Sequence, residues 1–238
     1  MTHPAQRCPI EVIRFRGLVA YDDAVRLQQE RQQAVAEGHA PEALFLLEHR
    51  PVVTLGRQAR SEHVLLGSEE LARQGIALRP TDRGGDVTYH GPGQMIAYPI
   101  LDLGRRGLPI GQYLRDLEGV LIRLLGEYGL PAKRRPGYTG VWIGQAKVAA
   151  IGIAVRRHVT SHGVALNVNP DMEHFRYIVP CGISDRPVTT MEALLGRTPA
   201  MKNVMKTFEE EFLACFGKGR DAGSGANDAG LECSIRPR

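Results

Sequence analysis

The clearest sheet-forming segment of the chain is Gly144-Gln145-Ala146-Lys147-Val148-Ala149-Ala150-Ile151-Gly152-Ile153-Ala154. Its alanine and β-branched residues predict a strand over 147–155, and residues 141–143 and 163–168 have the same character. A lysine leads into this apolar run, although only 5 of the 30 Lys and Arg residues are lysines. Lys147 is therefore either a strand-end lysine that reaches water or a partly buried ammonium that needs an acceptor.

Apolar periodicity predicts helices and further strands around that segment. Ile110 and the apolar residues that follow at three- and four-residue spacing predict an amphipathic helix over 110–128. Other patterns predict helices over 21–37, 68–74, 190–195 and 199–216, and strands over 10–15, 43–47, 52–55, 76–78 and 95–101. We expect Ser68 to cap its helix and Pro199 to lie in a first turn. Because the elements do not alternate as βαβ units, the sequence predicts an α+β domain with a mainly antiparallel sheet.

Composition sets the domain organisation. The 238 residues are 43% hydrophobic, enough to bury one large core or two small ones. The glycine-rich end cannot bury enough apolar surface to fold, so we predict one domain over 1–217 and a flexible tail over 218–238. No apolar run reaches the roughly 20 residues of a membrane span, and no signal peptide is visible. We therefore expect a cytoplasmic, monomeric protein that does not bind membranes.

Charge and cysteine content exclude several classes of site. The net charge is only +4, and the basic clusters 133–135 and 156–157 are either solvated surface or a docking patch for an acidic protein. No basic run is interleaved with aromatic residues, so we expect no nucleic-acid binding. The cysteines form no Cys-x-x-Cys pair, so we expect no metal site. They are Cys8, Cys181, Cys215 and Cys233.

A second conspicuous segment is Arg83-Gly84-Gly85-Asp86-Val87-Thr88-Tyr89-His90-Gly91-Pro92-Gly93-Gln94. Paired glycines permit positive φ and let a ligand approach the backbone, whose N–H groups can then face a carbonyl or an anion. The Thr, Tyr and His side chains add hydrogen-bonding groups. We interpret the segment as a loop that either binds a ligand or forms an ordinary surface turn.

The third segment is Tyr177-Ile178-Val179-Pro180-Cys181-Gly182-Ile183. A free thiol with a pKa of about 8.5 is mostly protonated at neutral pH, and a nearby cation would increase its thiolate fraction. Most free cysteines are small buried hydrophobic residues, but a cysteine between Pro and Gly is less typical of that role. Cys181 is therefore a candidate nucleophile, although spacing alone does not bring it to Lys147.

Together, the three segments resemble the lipoyl(octanoyl) transferase family, the octanoyl-carrier-protein:protein octanoyltransferases of lipoate synthesis. Residues 83–94 match the family signature of Arg-Gly-Gly, two residues, Thr, an aromatic residue, His, two residues, Gly and Gln. The segments of Lys147 and Cys181 match two further family blocks in the expected order. The resemblance extends over roughly residues 10–215. It implies the catalytic domain that biotin and lipoate protein ligases share, a mixed sheet flanked by helices.

The resemblance also implies a mechanism. Cys181 would attack the thioester of octanoyl-acyl carrier protein and hold the octanoyl group until a lysine of a lipoyl domain takes it as an amide. The acceptors would be lipoyl domains of 2-oxoacid dehydrogenase complexes and the glycine cleavage H protein. Lys147 would favour the Cys181 thiolate and shuttle protons. Because the donor is already a thioester, neither a cofactor nor ATP is expected.

The same resemblance assigns the substrate-binding residues. They are Arg83, Gly84, Gly85, Asp86, Val87, Thr88, Tyr89 and His90, then Ala150, Ile151 and Gly152, and finally Gly163, Val164 and Ala165. Small residues on the strands would leave room for an eight-carbon chain. Backbone donors within 83–90 would stabilise the oxyanion of the tetrahedral intermediate.

Three other interpretations remain open. An ATP-dependent lipoate or biotin protein ligase of the same fold would make an acyl-adenylate and need no nucleophilic cysteine. A cysteine hydrolase would need His90, His158 or His162 beside Cys181. A non-catalytic module would hold lipoyl domains without forming a covalent octanoyl adduct.

Overall fold

The computed structural model describes residues 10–179 and 187–217, which form two sheets with helices packed against them. The strands are β1 (Ile10–Val19), β2 (Glu42–His49), β3 (Val52–Leu55), β4 (Ala77–Pro80), β5 (Val87–His90), β6 (Gln94–Ile100), β7 (Lys133–Arg135), β8 (Tyr138–Ile143), β9 (Ala146–Arg156) and β10 (Val159–Asn167). The α-helices are α1 (Tyr21–Ala36), α2 (Ser68–Arg73), α3 (Ile110–Glu127), α4 (Met191–Leu195) and α5 (Met201–Phe216). Short 3₁₀ helices cover Ser61–His63 and Met172–Tyr177.

The larger sheet has the strand order β1-β2-β6-β10-β9-β8-β7. β1 and β2 run parallel, and the other neighbouring strands run antiparallel. The smaller sheet has the order β4-β3-β5, with β3 parallel to β4 and antiparallel to β5. The predicted α+β fold with a mixed, mainly antiparallel sheet flanked by helices is confirmed.

The central strands of the larger sheet are buried on both faces. Leu44 and Leu46 of β2 face the core built by α3 and α5, whereas Phe45 and Leu47 face the core that α1 covers. A strand buried on both faces needs apolar residues at consecutive positions, which is the pattern of β2. Each such side chain contributes about 1.5–3 kcal/mol by leaving water. The two cores therefore hold the central strands β2, β6 and β10 in place.

Several boundaries differ from the prediction. Ser68 is the first residue of α2 and follows the N-cap Gly67, so it provides no cap. Pro199 precedes Ala200, the N-cap of α5, and so lies just outside the first turn. The predicted loop over 83–94 contains β5 and the first residue of β6. These strands depend on pairing with distant segments, which local sequence does not report.

The short strand β7 was not predicted. It consists of the basic residues Lys133–Arg135 at the edge of the larger sheet. Arg134 forms an ion pair with Glu118, and Arg135 donates to Gln145 Oε1. The docking role of this cluster stays a prediction, and part of its charge already has partners within the chain.

Two predictions fall on residues outside those described. The flexible tail, 218–238, is one, and Cys181, in the gap at 180–186, is the other. Across residues 10–179 and 187–217, none of the helices combines the length and apolarity that crossing a membrane requires.

Candidate active site

An open cavity lies between the glycine-rich segment and strands β9 and β10. It encloses about 490 Å³, including its mouth. All of the predicted substrate-binding residues line it except Val87 and Tyr89, and Tyr21, Tyr98 and His162 line it as well. The structure therefore brings together three segments that are far apart in sequence.

Val87 and Tyr89 face away from the cavity because side chains alternate along β5. Both are fully buried in the core of the smaller sheet. The Tyr89 hydroxyl and His174 Nδ1 are hydrogen-bonded at 2.8 Å. Thr88 and His90, at the intervening positions, line the cavity. Treating residues 83–90 as one continuous binding segment therefore included two residues of the core.

Glycines let the cavity walls approach one another as bare backbone. The N–H of Gly84 donates to the carbonyl of Ile153 on β9 at 2.8 Å. A Cβ on Gly152 would lie 3.0 Å from the Gly84 oxygen. On β10, Gly163 has φ +157°, and a Cβ there would lie 2.3 Å from the Ala97 oxygen. Residues with side chains at these two positions would push the walls apart.

Arg83 holds the glycine-rich segment against the smaller sheet. Its buried guanidinium donates from Nη2 to the carbonyl of Thr54 at 2.9 Å and to that of Asp86 at 2.8 Å. Nη1 donates to the carbonyl of Gly84 at 3.1 Å. These contacts fix the backbone of 83–86, so the guanidinium shapes the cavity wall from behind.

Two imidazole–carboxylate contacts hold the same segment from either end. His63 Nδ1 lies 2.5 Å from Asp86 Oδ2, and His162 Nε2 lies 2.7 Å from Asp82 Oδ1. The hydrogen bond from His162 lowers the pKa of Asp82. His162 has φ 56°, an uncommon conformation for a residue with a side chain, and it donates its backbone N–H to Gln28. β10 thus carries a strained residue at the cavity wall.

His90 has a defined tautomer inside the cavity. Gln94 Nε2 donates to the carbonyl of Tyr89 at 3.2 Å and to Asn167 Oδ1 at 2.8 Å. Gln94 Oε1 must therefore accept the 3.0 Å hydrogen bond from His90, which places the proton on Nδ1. Burial lowers the pKa of His90 well below its ordinary value. His90 is thus a neutral imidazole with its Nε2 lone pair available as an acceptor.

A second buried histidine supports the cavity floor. His49 Nδ1 donates to the carbonyl of Val19 at 3.0 Å, so its Nε2 accepts from the Tyr98 hydroxyl at 2.7 Å. Burial lowers the pKa of His49 to about 4 and raises that of Tyr98 well above its usual value. The ring of Tyr21 stacks on that of His90, with 6.5 Å between the two ring centroids. The floor of the cavity, formed by Tyr21, His90 and Tyr98, therefore consists of uncharged rings, and His49 lies behind it.

Lys147 lies near one end of β9, three residues before Ala150, and does not line the cavity. Three steps along a strand correspond to about 10 Å. Its side chain is buried, and Nζ lies 5.0 Å from the centroid of the Trp142 ring, a cation–π distance. Lys147 is thus a buried ammonium, and it is not a strand-end lysine that reaches water.

The chain on both sides of the gap at 180–186 is anchored. Before it, the N–H of Val179 donates to the carbonyl of His63 at 2.8 Å. After it, the N–H of Lys147 donates to the carbonyl of Pro187 at 3.0 Å, and the N–H of Thr189 donates to the carbonyl of Lys147 at 2.9 Å. The described chain therefore ends, before residue 180, beside His63, which contacts Asp86, and resumes at residue 187 beside Lys147.

The histidines considered for a hydrolase separate into two groups. His90 and His162 line the cavity, whereas His158 lies in the turn between β9 and β10.

In the described part of the chain, no group of three or more His, Cys, Asp or Glu side chains is arranged to hold a metal ion.

Sequence reasoning missed Tyr21, Tyr98 and Asn167 as residues of the site. Tyr98 and Asn167 lie within apolar strands, where a polar side chain is itself a signal when both faces of the strand are buried. Tyr21 begins α1, and only the packing of that helix against the sheet brings it to the cavity.

Comparisons with known proteins indicate the family of the chain. Residues 20–213 match the family described as the lipoyl protein ligase A/B catalytic domain. The chain is 48% identical over 204 residues to an octanoyltransferase of Solibacter usitatus, covering 86% of this chain and 92% of that protein. It is 45% identical over 205 residues to an octanoyltransferase of Caldicellulosiruptor saccharolyticus, covering 85% and 87%.

Solved structures share the fold at lower identity. A lipoate-protein ligase A bound with ATP superposes with a TM-score of 0.68 at 15% identity, covering 88% of this chain and 85% of that one. A biotin protein ligase from Aquifex aeolicus superposes with a TM-score of 0.51 at 14% identity, covering 87% and 70%. On the sequence match and these relatives, the chain belongs to the octanoyltransferases of the lipoyl protein ligase A/B catalytic domain family.

Proposed function

We propose that this protein is an acyltransferase that moves an octanoyl group from octanoyl-acyl carrier protein to a lysine of lipoyl domains through a thioester at Cys181. The observation that carries the proposal is the cavity, which the signature segment 83–90 forms together with β9 and β10. Close relatives named octanoyltransferases support the reaction class.

The cavity wall suits an unbranched acyl chain. Ala150, Gly152, Gly163 and Ala165 contribute little side-chain volume, and the lining is mostly apolar. Each methylene that leaves water contributes about 0.8 kcal/mol, so the depth of the cavity can select chain length. The neutral rings at the floor add no charge that would need solvation.

The anchored ends of the 180–186 segment support a role for Cys181 beside Lys147. The Cys181 thiolate would attack the carrier thioester, forming the octanoyl-cysteine and releasing the carrier thiolate, which takes a proton from Lys147. The incoming lysine amine would then attack the octanoyl-cysteine, with neutral Lys147 accepting the amine proton as the Cys181 thiolate leaves. Lys147 thereby ends protonated, as it began.

The acceptors would be the lipoyl domains of 2-oxoacid dehydrogenase complexes and the glycine cleavage H protein. One structural neighbour is an archaeal bipartite lipoate protein ligase described with its E2 lipoyl domain, with a TM-score of 0.62 at 17% identity. This likeness concerns the fold alone. A free thiolate fits the reducing cytoplasm, where we propose that the enzyme acts.

Intact mass spectrometry tests the proposal. After mixing with octanoyl-acyl carrier protein, the wild type should gain one octanoyl group, and Cys181→Ala should gain none. Cys215→Ala is the matched control, because Cys215 is a half-buried thiol on α5. It should be acylated as the wild type is. Absence of an adduct on the folded wild type would refute the thioester mechanism.

The ATP-dependent ligase is the alternative that the shared fold leaves open. Its test supplies ATP and free octanoate in place of the carrier thioester. We expect no octanoylated lipoyl domain under these conditions. Full ligation by Cys181→Ser would show instead that the chain forms an acyl-adenylate.

A further inference from the structure

Asn167 occupies a position that no catalytic assignment uses. It is the last residue of β10, is buried, and pairs with Gln94 across the sheet. Its Oδ1 accepts from Gln94 Nε2 at 2.8 Å, while its Nδ2 donates to the carbonyl of Thr189 at 3.1 Å. The side chain therefore links the cavity to the segment that follows residues 180–186.

The hydrogen bonds on either side of Asn167 have one consistent direction. On the cavity side, Gln94 Oε1 accepts the hydrogen bond from His90 Nδ1. On the other side, Thr189 donates its N–H to the carbonyl of Lys147. A continuous path of four hydrogen bonds thus connects His90 with the backbone of Lys147. If the oxygen and nitrogen of Asn167 were exchanged, its Nδ2 would face the donor Nε2 of Gln94 and its Oδ1 would face the carbonyl oxygen of Thr189. Only the present orientation of the amide therefore satisfies both contacts.

We propose that Asn167 is a positioning residue for the acyl transfer: it ties segment 187–189 to β10, so that Lys147, whose backbone this segment contacts, keeps a fixed place relative to the cavity. The inference rests on the proposed function. Segment 187–189 also contacts β9 directly, through the bridge between Lys147 and Val188 and through two backbone hydrogen bonds of Lys147. The side chain of Asn167 adds a contact from the same segment to the central strand β10.

The test replaces the amide without adding charge. Asn167→Leu keeps the branched shape and removes both hydrogen bonds. Gln32→Met is the matched control, because Gln32 is also a buried amide and donates to a carbonyl of β10, that of Val159 at 2.8 Å. Val159 is at the opposite end of that strand from Asn167. Both variants leave a buried carbonyl unpaired, so a general loss of stability should affect them alike.

Two measurements distinguish positioning from stability. The kcat for octanoyl transfer should fall about 10- to 100-fold in Asn167→Leu, with KM for the carrier protein within about twofold. The midpoint of the pH dependence of Cys181 alkylation by iodoacetamide should move up towards about 8.5, as followed on the Cys181 peptide. Gln32→Met should show neither change when both variants are assayed well below their melting temperatures.

The outcomes separate the two proposals. If the wild type forms an octanoyl adduct and Asn167→Leu keeps the wild-type kcat and alkylation profile, the positioning role is wrong. Equal changes in both variants would also overturn it, since they would reflect stability alone. Alkylation needs no acyl donor, so it tests Asn167 even where the wild type forms no adduct, an outcome that would refute only the thioester mechanism.

Discussion

Acid should destabilise this protein through His49, which is buried as a neutral ring. In the folded state, His49 donates to Val19 and accepts from Tyr98. Protonation of Nε2 would remove the acceptor for the Tyr98 hydroxyl and place a charge in the core that α1 covers. The unfolded chain has no such constraint, so its imidazole takes up a proton at a higher pH.

The size of the effect follows from the two pKa values. Unfolded His49 binds its proton below about pH 6.5, and folded His49 does so only near pH 4. Because the unfolded state binds the proton first, the free energy of unfolding falls as the pH drops through this window. Linkage predicts a loss of about 2 kcal/mol from about pH 7.5 to pH 5, and about 3 kcal/mol by pH 4. His90, whose pKa burial also lowers, acts in the same direction.

Urea unfolding followed by fluorescence of Trp142, the one tryptophan of the chain, measures this loss. In His49→Gln, the amide can donate to Val19 and accept from Tyr98 without titrating. The variant should lose about 2 kcal/mol less than the wild type between about pH 7.5 and pH 5. His39→Gln, at an exposed position, should follow the wild type. An identical loss in His49→Gln and the wild type would refute the reasoning.

Three further predictions concern the cavity and Lys147. Gly163→Ala should lower the free energy of unfolding by about 1–3 kcal/mol in urea titrations, more than Gly17→Ala, where nothing lies within 4 Å of a new Cβ. Trp142→Leu should reduce the rate of octanoyl transfer about fivefold in steady-state assays, because the ammonium of Lys147 loses its ring contact. Arg83→Lys should lower the melting temperature by about 4 °C or more, since a single ammonium replaces the guanidinium fork that binds three carbonyls. An unchanged melting temperature would show that these contacts add nothing to stability.

Elements with strong local patterns were predictable from sequence. The stripe of apolar residues on α3 predicted its bounds to within one residue, and β3 was predicted with the bounds it has. β7 was missed because three consecutive basic residues carry no strand pattern, and they pair only through β8. The order of strands in the sheets depends on packing of distant segments, which needed the structure or the resemblance.

Most of the residues that line the cavity could be named from the sequence, because glycines and a motif histidine mark these segments. The alternation along β5 separates Thr88 and His90 from their neighbours, and it became visible only once β5 was known to be a strand. Asn167 looked ordinary because its importance comes from its partners across the sheet. The pairing of Cys181 with Lys147 stays a prediction.

Because Gly84, Gly152 and Gly163 form their part of the cavity wall with backbone alone, substitutions there can make the cavity smaller but not larger. A wall built from side chains can be moved back by truncating them, but glycine offers no atoms to remove. Substitutions at these three glycines therefore reduce the space for a ligand or displace strands, and they do not enlarge it. Acceptance of longer acyl chains would have to come from lining residues with side chains to truncate, such as Ile151, Val164 and Tyr21.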